Sequence, residues 1–160
     1  MRVTQSYVQQ LFDYNADTGV LLWKVSKAHC IKIGSIAGCH NGNGRLRVLI
    51  DRKKYYVHQI IWMYVYGSFV RKLDHKDGNP LNNRIENLRP ATDTENGMNR
   101  KASKGKEIPI KNVYRHGGSY SVRIVANKHE YTKTFKNFDQ AVAHAKEMRQ
   151  KLHGLFARDV

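Results

Sequence analysis

The chain has 160 residues, 28 Lys+Arg against 13 Asp+Glu and a formal charge of +15, with pI near 10.0. That length allows one ordinary domain or two small ones, and that charge favours a polyanionic partner. No apolar run approaches the roughly 18 to 20 residues of a membrane span, and MRVTQSYVQQ lacks a signal-peptide core, so a soluble intracellular protein is expected.

In chain order, Thr4 to Phe12 places Tyr7, Val8, Leu11 and Phe12 on one helical face. NADTG at 15–19 is a turn before the apolar strand Val20 to Val25. NGNG at 41–44 turns a hairpin with arms Ile31 to Ile36 and Arg45 to Ile50, and DRKK at 51–54 is a basic turn before Tyr55. Arg45, Arg47, Arg52, Lys53 and Lys54 then form a local positive surface able to grip phosphate. HQIIWMYVY, from His58 to Tyr66, is too apolar for a surface helix and packs the core. Cys30 and Cys39 lack a paired CxxC framework; with His29 and His40 they could form a zinc site only in an unusual geometry, so two reduced core or loop residues are the simpler reading and structural zinc is not expected.

Residues 73 to 100 hold the chemistry. An adjacent Asp74-His75 pair is followed by Asn87 and Asn96. An imidazole such as His75 can deprotonate water near neutral pH, and the oxygens of Asp74 and Asn96 suit a hard divalent cation. Leu73 to His75 can end a strand, Lys76 to Asn83 is a Gly/Asn/Pro loop, Arg84 to Arg89 returns as a strand, and Thr92 to Arg100 is a helix capped by Thr92 or Asp93. Taken singly, each Asn is an ordinary turn or cap residue.

The strand-borne DH, the DGNPLNNRIENLR loop and return strand, and the TENGMN helix together resemble the ββα-metal module of HNH endonucleases, in the variant ending in Asn rather than His. The resemblance implies His75 as general base, Asp74 and Asn96 as metal ligands, and Asn87 as the residue that braces the loop and orients His75. Because Asn is a poorer zinc ligand than His, it also implies Mg²⁺ or Mn²⁺. LFDY and DTGVLLWK near the start are similar to the opening of phage HNH proteins, and the resemblance suggests a structural or capping role for His58.

KASKGKEIPI at 101–110, which includes Lys104, is a basic linker able to lie along phosphates. Beyond it, Asn112 to His116, Ser119 to Ala126 and Glu130 to Phe135 are three strands with turns at 117–118 and 127–128. A helix from Asp139 to His153 follows, with Phe138, Ala141, Val142, Ala145, Met148 and Leu152 as its buried stripe. NVYRHGGSYSVRIV and KTFKNFDQAVAHAKEMRQKLHG resemble the AP2 DNA-binding domain, which implies a sheet face in the major groove. Alternation puts Tyr120, Val122 and Ile124 on one side and Ser121, Arg123 and Val125 on the other. The resemblance points Arg123 to DNA, joined by Arg115, Tyr120 and Lys133 and by Tyr131 as an aromatic contact; an ordinary amphipathic sheet would expose Arg123 as well.

The charge is unevenly placed: residues 1–70 hold nine basic and three acidic residues, 71–100 six and five, and 101–160 thirteen and five. The expected protein is α+β. It has an N-terminal β-rich scaffold and HNH core over 1–100, the linker, and an AP2-like three-stranded antiparallel sheet with one helix over 111–160. The function expected is Mg²⁺- or Mn²⁺-dependent hydrolysis of double-stranded DNA by a homing-type phage enzyme, monomeric, in the host cytoplasm. A non-catalytic DNA-binding regulator and an RNA-binding protein are the alternatives; the joint presence of Asp74, His75 and Asn96 argues against the first.

Overall fold

The computed structural model describes residues 3–26, 31–100 and 107–158. His29, Cys30 and Lys104, with linker residues 101–106, lie outside the described residues. The chain is α+β and divides into two compact units, residues 1–92 and 93–160.

The first unit opens with α1 (Gln5–Leu11), whose N-terminus is capped by the Thr4 hydroxyl accepting from the Tyr7 N–H. Phe12 does not continue this helix. It opens β1 (Phe12–Asn15), which pairs antiparallel with β2 (Val20–Trp23). The Asn15 carbonyl accepts from the Gly19 N–H at 2.9 Å and its side chain from the Thr18 N–H, so the NADTG turn forms as its residues dictate. Phe12 turns inward against Trp23, ring centroids 4.5 Å apart, and both rings are buried.

The hairpin at 41–44 keeps its second arm almost as expected, but its first arm is much shorter and lies nearer the turn. Its first arm is β3 (Cys39–His40), paired with β4 (Leu46–Ile50), because a tight turn pairs the residues that flank it. Residues 31–37 run beside β2 instead, with Trp23 N–H to Ser35 carbonyl 2.9 Å, Ala37 N–H to Leu21 carbonyl 2.7 Å and a bridge between Leu22 and Ile36. Only Asp51 and Arg52 form the next turn, both with positive φ (47° and 64°); Lys53 and Lys54 belong to β5 (Lys53–Tyr56). Cys39 is exposed.

α2 (Val57–Tyr66) buries Val57, His58, Ile60, Ile61 and Met63 and stops at Gly67 in a left-handed conformation, φ 68°. Val57, Ile60, Ile61 and Met63 join Val8, Leu11, Phe12, Leu21, Val48, Ile50 and Leu88 in one core. No helix of the described residues is long and apolar enough to cross a membrane. β6 (Leu73–His75) and β7 (Leu88–Pro90) form a two-stranded antiparallel ribbon on this core. The return strand is shorter than Arg84 to Arg89, since Ile85–Asn87 is a 3₁₀ turn. That turn takes Asn87 out of the ladder and aims its amide into the loop.

In the second unit, α3 (Asp93–Met98) precedes the sheet of β8 (Val113–His116), β9 (Ser119–Ala126) and β10 (His129–Phe135), with β9 central, and then α4 (Phe138–His153). Val113, Val122, Ile124, Ala141 and Ala145 are buried together with Ile108. The buried stripe of α4 differs from the apolar one expected: it runs Ala141, Ala145, Arg149, His153, one residue every four. Arg149 is 1% exposed and donates to the Lys111 carbonyl at 2.7 Å. Val142, Met148 and Leu152 pack at the margin.

Candidate active site and nucleic-acid interface

All three residues of β6 are buried, and antiparallel register sets Asp74 opposite Arg89 and His75 opposite Leu88. Arg89 Nε and Nη2 both donate to Asp74 Oδ2, at 2.9 and 2.7 Å, and the two side chains are nearly buried.

The loop that follows is organised around Asp77. One carboxylate oxygen accepts from the Asn79 N–H (2.8 Å) and from Asn87 Nδ2 (2.9 Å), and the other accepts from Asn82 Nδ2 (2.7 Å). Partial burial pushes the Asp77 carboxyl up, but these hydrogen bonds outweigh it and hold it below the ordinary value. Asn87 also donates to the Asn82 carbonyl (2.8 Å), and its Oδ1 accepts from the Asp77 N–H (3.1 Å). Asn87 thus braces the loop with its whole amide group. A side chain that sequence reasoning missed, Asn83, is hydrogen-bonded to the His75 ring, with Oδ1 3.0 Å from Nε2.

Burial holds the His75 imidazole below its usual pKa; the Asn83 hydrogen bond pulls upward, Arg45 pushes down, and Asp77 and Asp74 pull upward. A neutral ring at pH 7 follows, which is what proton abstraction requires. Behind it, the His58 ring meets His75 edge-on at 5.2 Å and stacks on Tyr56 at 5.3 Å. The Tyr56 hydroxyl accepts from Arg47 at 2.6 Å, which draws the phenol below its usual pKa, and the guanidinium carbons of Arg47 and Arg45 lie 4.6 and 5.8 Å from the Tyr56 ring centre. Two cations therefore flank the layer of rings that ends at His75. Tyr56 holds the N-cap position of α2, so His58 is no cap; it is a buried packing residue.

Burial, with like charge from His75 and Arg45, lowers His58 to about 3. Unfolded, it would protonate near 6.5. Between those values the unfolded chain binds the extra proton, so stability falls as pH drops from about 6.5 toward 3; above about 6.5 both states are neutral and the effect vanishes. Urea unfolding from pH 7 to 4 is expected to show His58→Phe losing less stability on acidification than the parent, by up to about 1.4 kcal/mol per pH unit. Parallel pH curves for the two proteins would contradict this.

Register spreads the basic residues of 45–54 along the β4–β5 hairpin, with Lys54 opposite Leu49. Arg47 pairs with Tyr56 at the site end of the β4–β5 hairpin, whereas Arg52 occupies the turn three residue pairs away. Register also divides the second unit's candidates, because directly paired residues share a face. Arg115 pairs with Tyr120, Lys133 with Val122 and Tyr131 with Ile124, so all four candidates lie on the α4 side of the sheet. Alternation along β9 had left the register of its neighbours open. Tyr120 meets Phe138 at 5.2 Å, while Tyr131 and Lys133, with His144 and Met148, border a cavity of about 180 Å³. Arg115 pairs with Glu107, both exposed. Arg123 stands on the other face with Tyr114, Ser121, Val125 and Thr132, and pairs with Glu130 at 2.9 Å.

Among the described residues, no group of three or more His, Cys, Asp or Glu could hold a metal ion. The donor chemistry of Asp74 and Asn96 still fits a hard cation, one carboxylate and one amide oxygen, since Mg²⁺ commonly takes one or two protein oxygens and fills its shell with water and phosphate. Asn96 lies on α3, in the second unit.

The HNH endonuclease family matches residues 55–98, from the end of β5 through α3. Protein 3.8 of Escherichia phage T7 is 32% identical over 105 residues, which are 63% of this chain and 87% of that protein. No solved structure matches significantly. The chain belongs to the family of phage T7 Protein 3.8 and carries an HNH endonuclease domain.

Proposed function

We propose that the protein is a metal-dependent endonuclease of double-stranded DNA with His75 as its general base. The observation that carries this reading is a buried His75 adjacent to Asp74 on β6, hydrogen-bonded to Asn83 and set over a loop tied by Asn87. His75 takes a proton from water, the oxygen attacks phosphorus in line, and the 3′ oxygen leaves, giving 5′-phosphate and 3′-hydroxyl ends. Asp74 and Asn96, both inside the family match, would hold one Mg²⁺ or Mn²⁺, which when bound supplies positive charge to the scissile phosphate. Arg45 and Arg47 grip the phosphate backbone, with Arg52 and Lys104 as outlying contacts.

The second unit is, on this reading, an AP2-like reader of the major groove. Its three-stranded sheet with a helix on one face supports this, and so does the charge of residues 101–160. Given the register, Arg123 with Tyr114, Ser121 and Thr132 forms the reading face. Arg123→Ala is expected to reduce discrimination between DNA sites by about 1–3 kcal/mol in competition binding, whereas Lys133→Ala weakens all sites alike. Lost discrimination in Lys133→Ala with uniform weakening in Arg123→Ala would reverse the assignment of faces. The whole reads as a monomeric homing-type enzyme of phage that cuts one strand per encounter.

The deciding experiment is cleavage of supercoiled plasmid in Mg²⁺ or Mn²⁺, with and without EDTA. Nicked circles that form only without chelator are expected; no cleavage under any metal would leave a DNA-binding protein.

A further inference from the structure

Asn83 is 2% exposed, and nothing in its sequence context separates it from the other loop asparagines. Its amide oxygen can only accept, so the contact with His75 Nε2 puts the ring proton on Nε2 and the basic lone pair on Nδ1. Asn87 is engaged elsewhere, since its amide nitrogen donates to Asp77 and Asn82 and its oxygen accepts from Asp77. Adjacent Asn82 faces Asp77. The two asparagine positions thus divide the work, one shaping the loop and the other setting the base.

The backbone that carries Asn83 is itself held from β1. The Tyr14 hydroxyl donates to the Asn83 carbonyl at 3.2 Å and accepts from the Ile85 N–H at 2.9 Å, so one hydroxyl spans three residues. Burial pushes this phenol above its usual pKa, which keeps the hydroxyl proton available to donate. On the same hairpin, a Cβ at Gly19 would stand 2.5 Å from the Arg84 nitrogen and 2.8 Å from the Asn83 carbonyl carbon, and Gly19 has φ +73°. Only a glycine lets the β1–β2 turn come this close.

We propose that Asn83 and Tyr14 are positioning residues of the active site: Asn83 fixes the His75 tautomer with its proton on Nε2, and Tyr14 fixes the backbone from which Asn83 reaches. The catalytic part of this inference rests on His75 being the base; the tautomer does not.

The test combines long-range ¹H–¹⁵N spectra of the imidazoles in the full, metal-free chain with steady-state cleavage. The parent is expected to show His75 as the Nε2–H tautomer and Asn83→Ala a mixture; Asn83→Asp, which still accepts, keeps the parent tautomer. In cleavage, Asn83→Ala should lower kcat by roughly ten- to hundredfold, with KM and DNA affinity unchanged. Tyr14→Phe, which loses one oxygen, should fold cooperatively and lower kcat by about tenfold, again at constant KM. An Nδ1–H tautomer in the parent would overturn the Asn83 assignment, and parental kcat in Tyr14→Phe would overturn that of Tyr14. Should Asn83→Ala fail to fold, the spectrum of Asn83→Asp decides, a changed tautomer counting against the proposal. Full activity in His75→Ala would sink the base assignment alone, because the spectra judge Asn83 independently.

Discussion

His75→Ala is expected to cleave DNA roughly two to four orders of magnitude more slowly than the parent while binding it equally well, the loss usual for a general base. The nearest other imidazole cannot take over. His58 is buried behind His75 and lowered to about 3, too weak a base to draw a proton from water at neutral pH. Added Mn²⁺ should not restore the rate, since the missing group is a proton acceptor. Single-turnover cleavage and DNA binding, measured side by side, check both halves. Parental cleavage in His75→Ala would move the base elsewhere.

Asp74→Ala should do more damage than loss of a cation explains. Its carboxylate receives both the Nε and Nη2 of Arg89 in a nearly buried pair, and removing it takes the acceptor of both bonds from a charge held largely away from water. A loss of about 3–5 kcal/mol is expected in urea unfolding without metal. Replacing the other partner as well, in Asp74→Ala/Arg89→Met, should recover most of it, because an apolar side chain carries no charge to strand. If the single and double variants were equally destabilised, the ion pair would not be the cause. For cleavage the informative change is Asp74→Asn, which keeps an oxygen acceptor for Arg89 while weakening the hold on a cation. In Asn96→Ala the Asp74 carboxylate remains, so raised Mn²⁺ should restore part of its rate.

Local chemistry was legible in the sequence and tertiary register was not. The turns at 15–19, 51–52, 117–118 and 127–128 announce themselves through Asn, Asp and Gly, and β9 alternates cleanly enough to place Val122 and Ile124 inside. The segment Leu73 to His75 with its loop is equally readable, because a DGN run has few other uses. By contrast, the side-by-side course of residues 31–37 and β2 depends on a pairing that an apolar run cannot specify. The AP2 resemblance groups Arg115, Tyr131 and Lys133 with Arg123, and alternation along one strand says nothing about its neighbours' register, which puts them on the opposite face. Arg149 lies outside the apolar stripe that the pattern of α4 picks out, yet the Lys111 carbonyl gives it a partner inside. Asn83 was hidden for a related reason: four asparagines lie within residues 79 to 87, and only the folded chain shows which one meets the imidazole.

The contact of Tyr14 with Asn83 closes a loop of 69 residues. Until the β1–β2 hairpin docks, residues 83–85 lack the partner that shapes them, so a local element of the catalytic loop waits on a long-range closure, the slow kind of folding event. Activity during refolding should therefore return with the burial of Trp23 on that hairpin.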